Sequence, residues 1–131
     1  FLNGARLRVS ETGGLLDALL VTGFPYDVHQ KLDPLIAMFR AFLGQARAVR
    51  RLGSAALDLC YVAAGRFDGF WEQSLRPWDV AAGALIAEEA GGRVTGMDGT
   101  PFDPAAAHLV ASNGQIHEAM LDVIRRTQAQ T

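Results

Sequence analysis

Cysteine is nearly absent from this sequence, because Cys60 is the only one among 131 residues. A single cysteine has no partner for an intrachain disulfide, which favours a reducing, cytoplasmic compartment. Long apolar runs are missing too, since no stretch approaches the ~20 residues that a membrane-spanning helix requires. The N-terminus also lacks the basic flank and cleavage site of a signal peptide. These absences predict a soluble cytoplasmic protein with no membrane partner.

An excess of basic charge is lacking as well. The formal net charge is −2, with 12 Lys and Arg against 14 Asp and Glu. Binding to a nucleic acid backbone needs clustered positive charge, so nucleic acid is not an expected partner. Half of the residues are hydrophobic and 20% are charged, as is typical of a globular chain. The length predicts one domain.

Short apolar runs alternate with helical patterns along the chain. Strands are predicted at 18–22, 47–51, 67–72, 93–95 and 109–112. Four helices are predicted. The first follows a turn and begins at Pro34, with Asp33 as its cap, and the next two span 55–65 and 77–91. The last is an amphipathic segment that contains Ile116, Met120 and Ile124. This order predicts an α/β fold in which helices flank a layered mixed β-sheet.

The N-terminal residues carry a hairpin signal. Asn3-Gly4 is a typical two-residue hairpin turn, and Leu7 and Val9 alternate with charged residues as in a half-buried strand. Only two residues precede the turn, and the sequence does not begin with Met. We therefore expect the partner strand to belong to upstream sequence.

Two carboxylates flank the turn between a predicted strand and a predicted helix. Glu72 ends the strand and Asp79 opens the helix. In an open α/β sheet these two ends face one crevice, where a pair of carboxylates suits a hard cation such as Mg²⁺. The alternative is that Asp79 only stabilises the helix N-terminus while Glu72 is a solvated strand end. Spacing by itself favours this alternative.

The sequence around these carboxylates resembles the inositol monophosphatase family. Residues 78–83 read Trp-Asp-Val-Ala-Ala-Gly, which closely matches the family signature. Residues 53–60, 89–92 and 21–27 also match in family order and spacing. The resemblance spans nearly all of residues 1–131. It implies the C-terminal lobe of the inositol monophosphatase-like sugar phosphatase fold, with the N-terminal lobe absent.

The resemblance also implies roles for individual residues. Asp79 matches the family aspartate that binds a catalytic Mg²⁺ ion beside the substrate. Glu72 matches the glutamate that hydrogen-bonds substrate hydroxyls. Gly53, Ser54 and Ala55 match the segment that lines the substrate pocket, and Ser54 is also expected to cap the helix that follows it.

Other residues are expected to play structural parts. Trp78 and Phe70 are interpreted as packing residues rather than ligand contacts. His29, His108 and His117 lack metal-ligand spacing and are expected at the surface.

The chain departs from the family in one respect. Family members bind most of their metal through an upstream glutamate and an Asp-Pro-(Ile/Leu)-Asp-Gly-Thr motif, and neither is found here in usable form. Residues 33–35 and 98–100 contain parts of that motif, but we interpret the first as a helix start and the second as a turn.

The resemblance implies that the parent enzyme hydrolyses a phosphate monoester of inositol or a similar polyol, by attack of metal-activated water. The fragment by itself is expected to be inactive because it lacks most metal ligands. One alternative is a sister phosphatase acting on histidinol phosphate, fructose bisphosphate or a phosphoadenosine nucleotide. Another is a non-catalytic structural or assembly lobe, with the homodimer that is habitual in the family supplying the interface.

Overall fold

The computed structural model describes residues 1–130, in which five strands alternate with four α-helices. The strands are β1 (Leu19–Thr22), β2 (Ala48–Arg51), β3 (Gly69–Glu72), β4 (Arg93–Thr95) and β5 (Leu109–Ser112). The helices are α1 (Leu32–Leu43), α2 (Ala55–Ala63), α3 (Pro77–Glu89) and α4 (His117–Ala129). The predicted α/β class and all five strands predicted from 18 onward are confirmed.

The strands form one mixed sheet in the order β2-β1-β3-β5-β4. β1 pairs in parallel with both β2 and β3, with Thr22 opposite Arg51 on one side and Trp71 on the other. β5 runs antiparallel to β3 and β4. The carboxyl ends of β1, β2 and β3 therefore lie side by side at one edge of the sheet.

Helices cover both faces of the sheet, and the strand sequences show why. Successive strand side chains point to opposite faces, so Leu20 packs with α1 and α4 while Val21 packs with α2 and α3. On β3, Trp71 packs on the same face as Leu20, and Phe70 packs on the same face as Val21. Because both faces are buried, these strands are apolar at nearly every position rather than alternating.

Local signals explain where two of the helices begin. Ser54 is the N-cap of α2, where its Oγ accepts a hydrogen bond of 3.2 Å from the Leu57 N–H. Pro77 is the first residue of α3. A backbone N–H at this position has no acceptor within the helix, so a proline there costs no hydrogen bond. Both agree with the predictions.

The start of α1 differs from the prediction, because Asp33 is not its cap. The helix begins at Leu32 with Lys31 as the N-cap, after a short 3-10 turn at Val28–Gln30. Pro34 is tolerated inside the first turn because the N–H groups of a first turn have no intrahelical acceptor.

The strand predicted after Asn3-Gly4 is also wrong. The turn itself forms, with φ of 51° at Asn3 and 84° at Gly4, but it closes only one bridge between Leu2 and Ala5. Residues 6–10 then have no regular structure. Leu7 and Val9 are partly buried against the core on the α2 and α3 side, so their alternation with charged residues reflects burial without strand pairing.

His117 lies in the core rather than at the surface, contrary to the prediction, whereas His29 and His108 are exposed. Thr95 Oγ1 donates to the Gly96 carbonyl, so it accepts from His117 Nε2–H at 2.8 Å. The other ring nitrogen, Nδ1, then accepts from Ser112 Oγ at 2.7 Å. Burial, followed by the charge of Arg93, lowers the pKa of His117 to about 4. A neutral histidine thus links β4, β5 and α4.

Among residues 1–130, no helix has both the length and the apolar character needed to cross a bilayer.

Candidate active site

A cleft of about 520 Å³ opens at the carboxyl ends of the three parallel strands. Its walls come from the three segments that follow those strands, which are residues 23–28, 51–56 and 72–79. Adjacent parallel strands place such segments at one edge of a sheet, where α/β proteins usually bind ligands. All five residues predicted for the site line this one cleft, namely Gly53, Ser54, Ala55, Glu72 and Asp79.

Glu72 lies at the end of β3, half-buried in the cleft. Burial is the largest cause that raises its pKa to about 7, and the negative charges of Asp58 and Asp79 raise it further. Arg51 acts in the opposite direction. A carboxyl group with such a pKa can accept or donate hydrogen bonds near neutral pH, which is unusual for a glutamate and typical of functional sites.

Asp58 is a third carboxylate close to this cleft, and the sequence analysis gave it no role. It lies in the first turn of α2, is fully buried, and neither carboxylate oxygen has a hydrogen-bond partner within residues 1–130. Burial raises its pKa to about 6, partly offset by the charge of Arg51. A buried acceptor without a donor is costly, and such groups concentrate at functional sites. Asp68, by contrast, is buried and bonded to Ser10 and the Leu19 N–H.

Arg51 is the one cation among the described residues that line the cleft. It ends β2, and its side chain passes over Gly53, with Nη1 3.3 Å from the position that a Cβ would take there. Its charge acts on both Asp58 and Glu72. Arg51 therefore partly offsets the negative charge of two carboxyls, Glu72 in the cleft and the buried Asp58 near it.

Asp79 lies in the first turn of α3, on the rim of the cleft. Its Oδ2 accepts a hydrogen bond of 3.0 Å from the N–H of Arg76, the N-cap residue, so Asp79 stabilises the helix N-terminus as the alternative interpretation predicted. Oδ1 accepts no hydrogen bond from residues 1–130. Capping uses one oxygen and leaves the other for a ligand, so the two interpretations of Asp79 are compatible.

The N-terminus of α2 forms the opposite wall. Gly53 has a φ of 99°, a conformation that favours glycine, and it turns the chain from β2 into the helix. Ser54, Ala55 and Ala56 follow along the wall. The first N–H groups of a helix are free to donate to an anionic or hydroxylated ligand, although Ser54 already satisfies one of them.

Trp78 differs from its predicted packing role. Its side chain is 79% exposed and lines this cleft together with a neighbouring one of about 780 Å³. Phe70, on the other hand, is fully buried as predicted. Trp78 is the second residue of α3, and the first buried residue of that helix is Val80, so apolar spacing did not predict the exposure of Trp78.

Sequence reasoning missed three residues of the site, namely Gly23, Arg51 and Asp58. Arg51 ends a predicted strand, which is a usable signal, and Asp58 is the only charged residue in an otherwise apolar helix. Gly23 resembles any glycine that closes a strand. Nothing in the sequence alone shows that these three residues face Glu72.

Comparison with known proteins gives concordant matches. A model of the inositol monophosphatase family matches residues 1–129. The Nus factor SuhB of Pseudomonas aeruginosa is 49% identical over 126 residues, covering 95% of this chain and 46% of that protein. The inositol-1-monophosphatase of Synechocystis is 44% identical over 126 residues, covering 96% of this chain and 44% of that protein. The chain thus spans about half the length of these curated relatives.

Solved structures agree with the fold. An inositol monophosphatase from Anabaena superposes with a TM-score of 0.91 at 45% identity, over 95% of this chain and 49% of that one. An IMPase/NADP phosphatase complexed with Mg²⁺ and phosphate has a TM-score of 0.76 at 25% identity, over 94% of this chain and 45% of that one.

Proposed function

This chain belongs to the inositol monophosphatase family, and from that membership we propose that it forms the C-terminal half of a phosphatase for inositol monophosphate or a similar polyol phosphate. The observation that supports this proposal best is the cleft itself. Glu72 and Asp79 line it together with the N-terminus of α2, at the edge of the sheet where three parallel strands end.

In this proposal Glu72 binds hydroxyl groups of the substrate. Its half-buried carboxyl lies within the cleft, where a sugar or inositol ring would meet it beside the polar side chains of Arg51, Ser54 and Asp79. A hydrogen bond to a charged acceptor contributes about 1.5–3 kcal/mol, enough to select a hydroxylated leaving group. Gly53, Ser54 and Ala55 would line the pocket on the other side.

Asp79 would provide one ligand to Mg²⁺. A hard cation takes carboxylate oxygens and keeps water or phosphate at its other positions, and Oδ1 of Asp79 has no competing hydrogen bond within residues 1–130. Residues 1–130 form no group of three or more potential ligands. They therefore do not make a complete metal site, and we expect the remaining ligands to come from outside this chain. When bound, Mg²⁺ would polarise the ester and activate water.

Sister phosphatases are an alternative within the same chemistry. Histidinol phosphate, fructose bisphosphate and phosphoadenosine nucleotides all offer a phosphate monoester next to a polar leaving group. The discriminating measurement is the relative kcat/KM for these esters in a protein that contains both halves.

A different class of function is a non-catalytic assembly lobe. The relative from Pseudomonas aeruginosa, 49% identical, carries the name of a Nus factor rather than of a phosphatase. A homodimer would also fit this alternative. An assembly lobe has no evident need for Glu72 and Asp58 to be buried at a cleft with raised pKa values, which favours the phosphatase.

The proposal is tested by two substitutions in an intact protein that carries this sequence as its C-terminal half. Glu72→Gln should lower kcat/KM for inositol monophosphate by about 10-fold or more relative to an ester without ring hydroxyls, because the lost hydrogen bond serves only the hydroxylated substrate. Asp79→Asn should lower kcat/KM equally for both substrates, since the metal acts on the phosphate that they share.

Glu11→Gln is a matched control, because Glu11 is exposed and does not line the cleft. Equal losses for both esters on Glu72→Gln would mean that Glu72 acts on the metal or the water, and the proposed role would be wrong.

A further inference from the structure

Gly23 and Glu72 are in unusually close contact at the floor of the cleft. Gly23 directly follows β1, and Glu72 is the last residue of the adjacent parallel strand β3. A Cβ added to Gly23 would lie 2.7 Å from Cδ and 3.2 Å from Oε2 of Glu72, and would overlap Oε1. Real Cβ atoms essentially never approach another heavy atom within 3.0 Å. The carboxyl of Glu72 therefore occupies space that any side chain at position 23 would need.

Backbone conformation does not explain why residue 23 is a glycine. Six glycines of residues 1–130 have a positive φ, Gly53 among them, and Gly23 is not one of these. The φ of Gly23 lies outside the range that favours glycine, so φ by itself does not require a glycine there. The contact with Glu72 is what excludes one.

We propose that Gly23 is a positioning residue for Glu72. By lacking a side chain, Gly23 leaves a niche beside β1 in which the Glu72 carboxyl is held at the edge of the cleft. Any larger residue at position 23 would push that carboxyl out of the niche. Gly23 acts only through Glu72, so its effect on substrate selection rests on the proposed function, whereas its effect on the placement of Glu72 does not.

The first experiment tests placement alone, by thermal unfolding of this chain. Gly→Ala normally stabilises a protein where φ and space permit. Gly14→Ala is the matched control, because Gly14 has an ordinary φ of −133° and nothing within 4 Å of its added Cβ. We expect Gly14→Ala to leave Tm unchanged or higher. Gly23→Ala should shift Tm away from this control, because the end of the Glu72 side chain must move to make room for the added Cβ.

The double substitution then isolates the contact. With Glu72→Ala as the background, the clash is removed, so Gly23→Ala should behave like the Gly14→Ala control. If Gly23→Ala alone does not fold, recovery of folding in the Glu72→Ala background supports the proposal. An equal change of Tm on Gly23→Ala in both backgrounds, including no change in either, or no recovery of folding, overturns the proposal.

The second experiment measures selectivity in an intact protein with both halves. Gly23→Ala should reduce the preference for inositol monophosphate over an ester without ring hydroxyls by about 10-fold, as Glu72→Gln does, and the two changes together should reduce it no further. If Glu72→Gln changes this preference and Gly23→Ala does not, Gly23 has no positioning role. If neither substitution changes this preference, but the effect of Gly23→Ala on Tm depends on Glu72, then Gly23 still positions Glu72. The proposed role of Glu72 in binding substrate hydroxyls would then be wrong.

Discussion

Replacing Glu72 by Gln should stabilise this chain at pH 8, although it removes a charged group from the native structure. Burial and two neighbouring carboxylates raise the pKa of Glu72 from 4.5 to about 7. At about 1.36 kcal/mol per pKa unit, that rise corresponds to a penalty of about 3 kcal/mol when the group is ionised. Because Glu72 is only half-buried and solvent screens part of its interactions, we expect about 1–2 kcal/mol to be measurable.

The pH dependence follows from the direction of the pKa change. Below pH 4.5 the carboxyl is protonated in both the folded and the unfolded chain, so it imposes no penalty. As pH rises from 4.5 to about 7, the unfolded chain loses this proton first, and the free energy of unfolding falls. Glutamine does not titrate, so the advantage of Glu72→Gln should grow over this window and stay constant above it.

Urea unfolding of both proteins at pH 5 and pH 8, in EDTA to remove metal ions, measures this difference. The change in midpoint between the two pH values should be larger for wild type than for Glu72→Gln. Glu11→Gln serves as the exposed control and should follow wild type. If Glu72→Gln is no more stable than wild type at pH 8, then Glu72 is not a strained carboxyl, and the argument from burial fails.

Three further results are expected from the same structure. As pH falls from 6.5 toward 4, the wild-type free energy of unfolding should fall by about 3 kcal/mol, because the folded pKa of His117 is about 4, and His117→Asn should abolish this fall. A parallel pH profile for both proteins would contradict this. Ser54→Ala should lower the free energy of unfolding by about 1 kcal/mol through loss of the α2 cap, and an unchanged Tm would show that the cap contributes nothing. The chain by itself should show no phosphatase activity with Mg²⁺ and no tight Mg²⁺ site by calorimetry; turnover that Asp79→Asn abolishes, or a micromolar affinity, would mean that this chain contains further ligands.

Most of the secondary structure could be predicted from sequence because its signals are local. The run at Leu19–Thr22 is apolar at successive positions, as suits a strand buried on both faces. Ser54 and Pro77 mark helix starts through hydrogen-bonding properties of single residues. The prediction at Asp33 was wrong because proline fits inside the first turn of a helix as well as at its start. The strand predicted after Asn3-Gly4 was wrong because Leu7 and Val9 are buried against the core without strand pairing.

The composition of the candidate site could be predicted only in part. Glu72 ends a strand, and Asp79 lies at a helix start within the signature Trp78–Gly83. Because β1, β2 and β3 pair in parallel, the ends of these elements line one cleft. The order of these residues along the chain predicted that they share one location. It did not give them their pKa values or their partners.

What the sequence by itself determined is the order of strands and helices, the family, and the two carboxylates at the strand end and the helix start. Only the tertiary structure brought Gly23, Arg51 and Asp58 to Glu72, and only it buried His117 between two hydroxyl groups. The three residues near Glu72 are 14 to 49 positions from it in the sequence, and Thr95 is 22 positions from His117. Burial and proximity of that kind depend on the packing of the whole sheet, which no local periodicity encodes.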